Sequence, residues 1–262
     1  MKIDYAIHSS DSNPHYIEFW PIVALLWRRY GIEPILVYID YDYETRIIDE
    51  TCGTVIRIKP IENIPIYFQC QWVRFWIPSK YPDKISILSD IDMLPISKYY
   101  FIDIPAKYNE DMYIHLNANK FPEILNVCYH IASGHLFKTV LELDDEWINS
   151  CNTVYNSGLG IKNHGGHLEG KLNWSTDEAY STQKIVEYYK NHPELFLFNY
   201  REPGRRIDRV LWMYEPRLIQ HNNYYYDAHC LRPYSENKQQ IDIIIKFINE
   251  TIQLPLEYKI NR

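Results

Sequence analysis

Two aspartates one residue apart, Asp90 and Asp92, stand directly after the apolar run Ile85-Ser86-Ile87-Leu88. Such a run reads as a buried strand, and alternate residues at a strand end project to one face. Two carboxylates about 6 Å apart repel by roughly 3 kcal/mol at an effective dielectric near 20. A divalent cation relieves that repulsion. Mg2+ and Mn2+ prefer oxygen ligands and share them readily with phosphate oxygens. Spacing alone does not decide the chemistry, because Asp40-x-Asp42 repeats the pattern and a strand-end Asp also serves as a solvated turn or helix cap. The position of Asp90 and Asp92 behind an apolar strand favours this pair over Asp40-x-Asp42, with a metal site and a solvated turn both open.

The surrounding elements place this pair. Tyr5–His8 reads as a first buried strand, ending in the polar turn Ser9-Ser10-Asp11-Ser12-Asn13. Asn13-Pro14 has the form of an N-cap and first helical position. Ile17, Trp20, Val23, Ala24, Trp27 and Tyr30 fall on one helical face. Pro21 should kink or split this helix, and Gly31 should end it. Strands are expected at 35–39, 54–58 and 85–88, and a helix at 69–76 before Pro78. Alternating strands and helices predict an α/β fold with a mostly parallel sheet flanked by helices. In such sheets ligands sit beyond the carboxyl ends of the strands. The polar clusters at 8–13, 40–42 and 89–92 all fall there.

The second half is less regular. The sequence predicts a short strand at 112–116, a helix over 135–149, and strand or loop over 152–162. A turn is expected at His164-Gly165-Gly166-His167, a helix over 176–191, and a late strand at 217–220. A polar aromatic loop at 224–234 and a last amphipathic helix over 239–251 complete the chain. No composition break marks a linker, so we expect a single domain, with halves over about 1–105 and about 106–262.

Composition narrows the classes. The chain has 262 residues, 46% of them apolar, enough for one α/β domain with a buried core. The net charge of −7 disfavours broad binding to nucleic acid or anionic membranes, which needs Lys and Arg against phosphates. An acidic protein that handles a diphosphate would gain from a bound cation. The 24 tyrosines and 7 tryptophans suit either a stacking groove or a core. Five widely spaced cysteines contain no C-x-x-C pair, which fits reduced thiols better than a zinc knuckle or disulfide framework. No apolar stretch reaches the length of a membrane span, and the N-terminus carries no apolar leader segment, so a cytoplasmic location is expected.

The run Ile85-Ser86-Ile87-Leu88-Ser89-Asp90-Ile91-Asp92-Met93-Leu94-Pro95 resembles the D-x-D segment of GT-A glycosyltransferases, in particular small bacterial and giant-virus members with D-x-D-x-x-P. Other segments are similar in the same order: Glu18-Phe19-Trp20-Pro21-Ile22-Val23, Gln71-x-x-Arg74, Trp174-Ser175-Thr176-Asp177-Glu178, and Asp227-Ala228-His229-Cys230-Leu231-Arg232-Pro233. The resemblance spans roughly residues 4–235. It implies a Rossmann-like GT-A fold and transfer of a sugar from a nucleoside-diphosphate sugar to a carbohydrate hydroxyl. A UDP-sugar is favoured over a GDP-sugar, with Mn2+ or Mg2+ as cofactor. It implies Asp90 and Asp92 as metal ligands, completed by His229 or, failing that, His221. The run His229-x-x-Arg232-Pro233 lacks the glycine of the H-x-x-G-x-x-K-P pattern and is shorter.

The resemblance further implies donor contacts from the turn Ser89-Asp90-Ile91-Asp92. His8, Ser9, Ser10 and Asp11 would meet base and ribose, Asp40 the base edge, and Tyr41 would stack. Arg74 would reach phosphates or base, and Arg232 or Arg209 the diphosphate. In inverting members a carboxylate at the place of Asp177, or alternatively Glu178, takes the proton of the acceptor hydroxyl. Acidic residues there also suit a first helical turn without catalysis. His130, Ser133 and His135 fall where acceptor contacts usually sit. Two other readings remain open: a sugar nucleotidyltransferase, and a non-catalytic nucleotide-sugar binder. The loop after the first strand lacks the Gly and Lys of nucleotidyltransferases, and no G-x-x-x-x-G-K-[ST] occurs. His164 and His167 on a Gly-Gly turn lack the helical H-E-x-x-H of zinc hydrolases.

Overall fold

A computed structural model describes residues 1–118, 125–159, 175–200, 202, 204–220 and 224–251. Strand β1 (Tyr5–Ser10) is followed by α1 (Pro14–Ile17) and α2 (Trp20–Arg29), then β2 (Glu33–Ile39), β3 (Thr54–Ile58), α3 (Ile66–Trp76), β4 (Ile85–Leu88) and β5 (Met93–Pro95). The second half contains β6 (Tyr113–Ala118), β7 (His130–Ser133), α4 (Gly134–Leu141), α5 (Trp147–Tyr155) and α6 (Thr176–Tyr189). It closes with β8 (Phe196–Tyr200), β9 (Arg206–Asp208), α7 (Pro216–Gln220), β10 (Asp227–His229) and α8 (Tyr234–Thr251).

Seven strands form the main sheet in the order β3-β2-β1-β4-β7-β6-β8. The β3-β2, β2-β1, β1-β4 and β6-β8 pairs are parallel, and β7 is antiparallel to both β4 and β6. This is the mostly parallel, helix-flanked α/β sheet that the sequence predicts. Strand parity explains its two buried faces. Ile7, Ile35, Val37, Ile39 and Leu88 pack on one side with α3. Ala6, Leu36, Tyr38 and Ile87 pack on the other with Trp20, Val23 and Trp27 of α2. A second sheet, β5-β10-β9, has three short strands. No helix among the described residues is long and apolar enough to cross a membrane.

Local chemistry sets the element ends. Asn13 Oδ1 accepts from His15 N–H at 3.0 Å, capping α1. The helical run breaks ahead of Pro21, which sits in the first turn of α2. Gly31, at φ +74°, turns the chain from α2 into β2.

Four expectations need correction. The helix over 135–149 is two helices: Glu142 closes α4 at φ 52° and Asp144 Oδ1 accepts from Glu146 N–H at 2.7 Å just before α5. Consequently 152–155 is helix, where strand or loop was expected. Residues 217–220 form helix α7, because Pro216 presets a helical φ and an apolar run this short carries no period. The loop over 224–234 contains β10, a strand too short for alternation to reveal. The turn at 164–167 and His221 lie outside the described residues.

Candidate active site

A cleft opens beyond the carboxyl ends of β1 and β4, where the sequence places its polar clusters. Ser9, Ser10 and Asp11 from the end of β1 form one wall, with Tyr16 of α1. Helix α3 supplies Tyr67, Cys70, Gln71 and Arg74, whose spacing puts all four on one helical face. Asp90, Ile91 and Asp92 form the floor, Asp177 and Glu178 enter from α6, and Arg209, His229 and Arg232 close the far side.

The small sheet brings that far side in. His229 pairs with Met93 across the antiparallel β10–β5 ladder, and with Asp208 across the parallel β10–β9 ladder. Met93 directly follows Asp92, so ladder register alone sets His229 beside the D-x-D turn. Cys230 N–H donates to the Asp92 carbonyl at 2.9 Å, fastening the strands at that point. Beneath, Arg206 forks onto Asp227 with distances of 2.8 and 2.6 Å, and the Tyr129 hydroxyl donates to Asp227 Oδ2 at 2.8 Å. A bidentate fork of this kind fixes orientation as well as charge.

The two aspartates differ in surroundings. Asp92 is buried, and Oδ2 lies 2.7 Å from Arg209 Nη1 and 3.6 Å from both His229 Nε2 and Arg232 Nη1. Asp90 is half-buried and pairs with the Arg74 guanidinium, and its N–H donates to Cys128 Sγ at 3.1 Å. Burial would raise the Asp90 pKa, but Arg74 outweighs it and holds the carboxyl well below its usual range. Arg232 also lies 4.8 Å over the Tyr16 ring.

His229 spans two carboxylates, with Nδ1 3.7 Å from Asp208 Oδ2 and Nε2 facing Asp92. Burial works against its protonated form, but Asp208 and Asp92 outweigh burial and raise the pKa. Among the described residues no three His, Cys, Asp or Glu side chains stand close enough to hold a metal as they are. Guanidinium groups hold the carboxylates instead. The donor types nonetheless fit a hard divalent cation: two carboxylates and one imidazole face a common cleft.

Asp177, at the first turn of α6, is 1% exposed, and no side chain bonds either of its oxygens. Burial pushes its pKa up, with Arg74 opposing. Burial and then the charge of Asp177 push Glu178 up as well. Val127 N–H lies 3.4 Å from Glu178 Oε1. Two adjacent carboxyls, each disfavouring a second charge, can hold a proton near neutral pH.

Several expected residues sit elsewhere. His8 is fully buried between Trp20 and Trp27, at 6.4 Å from each ring, and does not reach the cleft. Strand parity is the reason: His8 shares the face of Ala6, whereas Ser9 turns towards α3 and donates to the Cys70 carbonyl. Asp40 supports the loop, accepting from Ser12 N–H at 2.9 Å and Tyr41 N–H at 2.7 Å. Tyr41 is 71% exposed and stands outside the cleft walls. Ser89 is buried under the turn, its hydroxyl donating to the Asp90 carbonyl at 3.1 Å. His130 is buried in the sheet, Ser133 caps α4, and exposed His135 lies in the first turn of that helix, so none of the three lines the cleft. Tyr16, Tyr67, Cys70 and Val127 were not foreseen. The α3 residues had a legible signal, since they share the helical face of Gln71 and Arg74, whereas Val127 arrives on an irregular segment.

No family model and no curated protein matches the sequence. Among solved structures, the chain aligns with two crystal structures of the glycosyltransferase GlyE from Streptococcus pneumoniae TIGR4, one of them the apo form. Identities are 10% and 9%, with TM-scores of 0.47 and 0.48, covering 99% of this chain and 66% and 67% of theirs. It also aligns with the galactosyltransferase LgtC in complex with donor and acceptor sugar analogues, at 9% identity and a TM-score of 0.46, covering 97% of this chain and 98% of that one. TM-scores this low leave function to the chemistry of the site.

Proposed function

We propose that the chain is a GT-A type glycosyltransferase that moves a sugar from a nucleoside-diphosphate sugar to a carbohydrate hydroxyl, with UDP-sugars ahead of GDP-sugars. One observation carries the reading. Asp90, Asp92, His229, Arg209 and Arg232 share a single strand-end cleft with the buried carboxyl of Asp177. The first group suits a diphosphate with its cation, and the second suits proton removal from an attacking hydroxyl. Asp90, Asp92 and His229 would hold Mn2+ or Mg2+. When bound, the cation supplies Lewis-acid stabilisation of the charge that gathers on the leaving diphosphate. Arg209 and Arg232 add fixed positive charge aimed at the same oxygens.

The nucleotide lies over Ser9–Asp11 and the Tyr67–Gln71 face, in the half spanning about 1–105, and the acceptor comes from the half spanning about 106–262. Asp177 takes the hydroxyl proton as the nucleotide leaves in line, which inverts the anomeric centre. Its raised pKa matches that task better than an ordinary exposed carboxylate would. The test is hydrolysis of a panel of UDP- and GDP-sugars, with and without Mn2+, without acceptor. We expect one donor to be hydrolysed slowly in a cation-dependent way, and Asp92→Ala to abolish this. Asp92→Ala turning over donor at the wild-type rate, or no donor hydrolysed at all, sinks the reading.

A further inference from the structure

Below the cleft floor two histidines take no part in the chemistry above. His115 on β6 and His130 on β7 face each other across the antiparallel ladder, rings 4.2 Å apart and fully buried. His115 Nε2 lies 2.9 Å from the Asn126 carbonyl oxygen, and His130 Nε2 lies 2.8 Å from the same atom. A carbonyl oxygen only accepts, through two lone pairs, so both Nε2 atoms carry the proton and the oxygen is saturated. His130 Nδ1 is then an acceptor, and the Tyr113 hydroxyl donates to it at 3.1 Å.

The surroundings keep both rings neutral. Burial pushes His115 down to about 4, against the Asn126 and Cys128 backbone. Burial lowers His130 too, and His115 and the Arg74 guanidinium act in the same direction. The Phe75 ring packs edge-on against His130 at 5.3 Å.

The clamped carbonyl belongs to a short strap, residues 125–128, that touches both working walls of the cleft. Leu125 N–H donates to Thr182 Oγ1 of α6 at 2.8 Å, and Val127 N–H faces Glu178. Cys128 Sγ accepts from Asp90 N–H, and Val127 itself lines the cleft. The strap therefore joins the acidic start of α6 to the D-x-D turn.

We propose that His115 and His130 are positioning residues: a neutral pair that clamps the Asn126 carbonyl and thereby sets the Asp90 turn against the Asp177–Glu178 end of α6. Only the kinetic consequence rests on the glycosyl-transfer reading. That separates the two in the laboratory.

Long-range 1H–15N correlation of the wild-type imidazoles reads the tautomers directly. Both rings should be neutral Nε2–H forms near pH 6, where an exposed histidine is largely protonated. A protonated ring, or an Nδ1–H form, overturns the proposal. Amide exchange of His130→Phe and His130→Gln then tests the clamp. In His130→Phe, exchange at Asp90, Leu125 and Val127 should quicken about tenfold or more while the β1–β2 ladder keeps wild-type rates. His130→Gln, which keeps an N–H donor, should recover most of the protection. Unchanged rates, or uniform acceleration over the whole sheet, overturn the clamp. Should the Phe variant fail to fold, the tautomers and the Gln variant decide. In donor hydrolysis, folded His130→Phe should lose about tenfold in kcat with donor KM little changed, the pattern of misplaced reacting groups. A wild-type kcat overturns the positioning role. Absence of donor hydrolysis by the wild-type protein instead rejects the glycosyl-transfer reading, and the tautomer and exchange results still judge the clamp.

Discussion

At the scale of single residues, the cleft is organised around Asp92 Oδ2, one buried oxygen with three basic side chains within 3.6 Å. A carboxylate so placed has no role as a plain surface turn, since its burial has to be offset by charge. His229 connects it to Asp208, so Asp208 orients the imidazole with Nδ1 towards itself and Nε2 towards the cleft. Asp208→Asn should therefore weaken Mn2+-dependent nucleotide affinity by about tenfold, as outer-shell changes at such sites do. Titration calorimetry with Mn2+ and UDP or GDP checks this, and wild-type affinity would remove Asp208 from the site. Asp177 belongs to a separate step. Asp177→Asn should leave nucleotide binding intact and reduce transfer by about a hundredfold or more. For the wild type, transfer should fall as pH drops through the raised Asp177 pKa, because the base must be unprotonated to accept a proton. Transfer at the wild-type rate in Asp177→Asn would rule it out as base.

At the scale of elements, the site depends on pieces that carry little sequence signal. The strands β5, β9 and β10 have three residues each, yet their register brings His229 and Asp208 to Asp92. Three residues give neither a hydrophobic period nor a length that separates strand from loop. By contrast β4 stands where its apolar run puts it, at Ile85–Leu88, because a strand buried on both faces reads as a near-continuous apolar stretch, and the edge strand β3, Thr54–Ile58, is legible from its β-branched Thr, Val and Ile. The split before Pro21 and the stop at Gly31 are legible for stereochemical reasons, since Pro restricts the backbone and Gly takes a positive φ without strain. One element contact gives a sharp test. Gly134 opens α4 hard against the turn after α3, where a Cβ would meet the carbonyl oxygens of Pro78 and Tyr81. Backbone cannot move aside as a flexible side chain can. Gly134→Ala should cost on the order of 2 kcal/mol or more, as backbone strain and overpacking do. A denaturant midpoint equal to wild type would contradict that packing.

At the scale of the whole molecule, what pattern could and could not reveal follows from burial. The α/β class is written in the alternation of apolar runs, while the inward turn of His8 follows from strand parity, which puts it on the face of Ala6 and not with Ser9. The same burial makes stability depend on pH. His8 is pushed down to about 3 and His115 to about 4, chiefly by burial, and His130 falls well below its ordinary value. These groups bind protons in the unfolded chain near pH 6.5 but resist them when folded. The unfolded state therefore holds more protons between about pH 6.5 and 4, and stability must fall as pH falls through that window. His8 and His115 are each worth on the order of 2 kcal/mol by pH 4.5, and His130 acts in the same direction. Asp177 and Glu178 act oppositely, since their raised pKa values make protonation on acidification favourable to the folded state. Asp90 and Asp208, held low, keep their contribution until below the usual carboxylate range. The two carboxyls offset much of the histidine loss, so the histidine share shows best in Asp177→Asn, where stability should fall more steeply on acidification than in the wild type. Urea unfolding at steps between pH 7.5 and pH 4.5 measures it, in conditions spanning the histidine window. Stability of Asp177→Asn that stays flat or rises over that range would mean these imidazoles are charged in the folded protein, and their burial would be wrong.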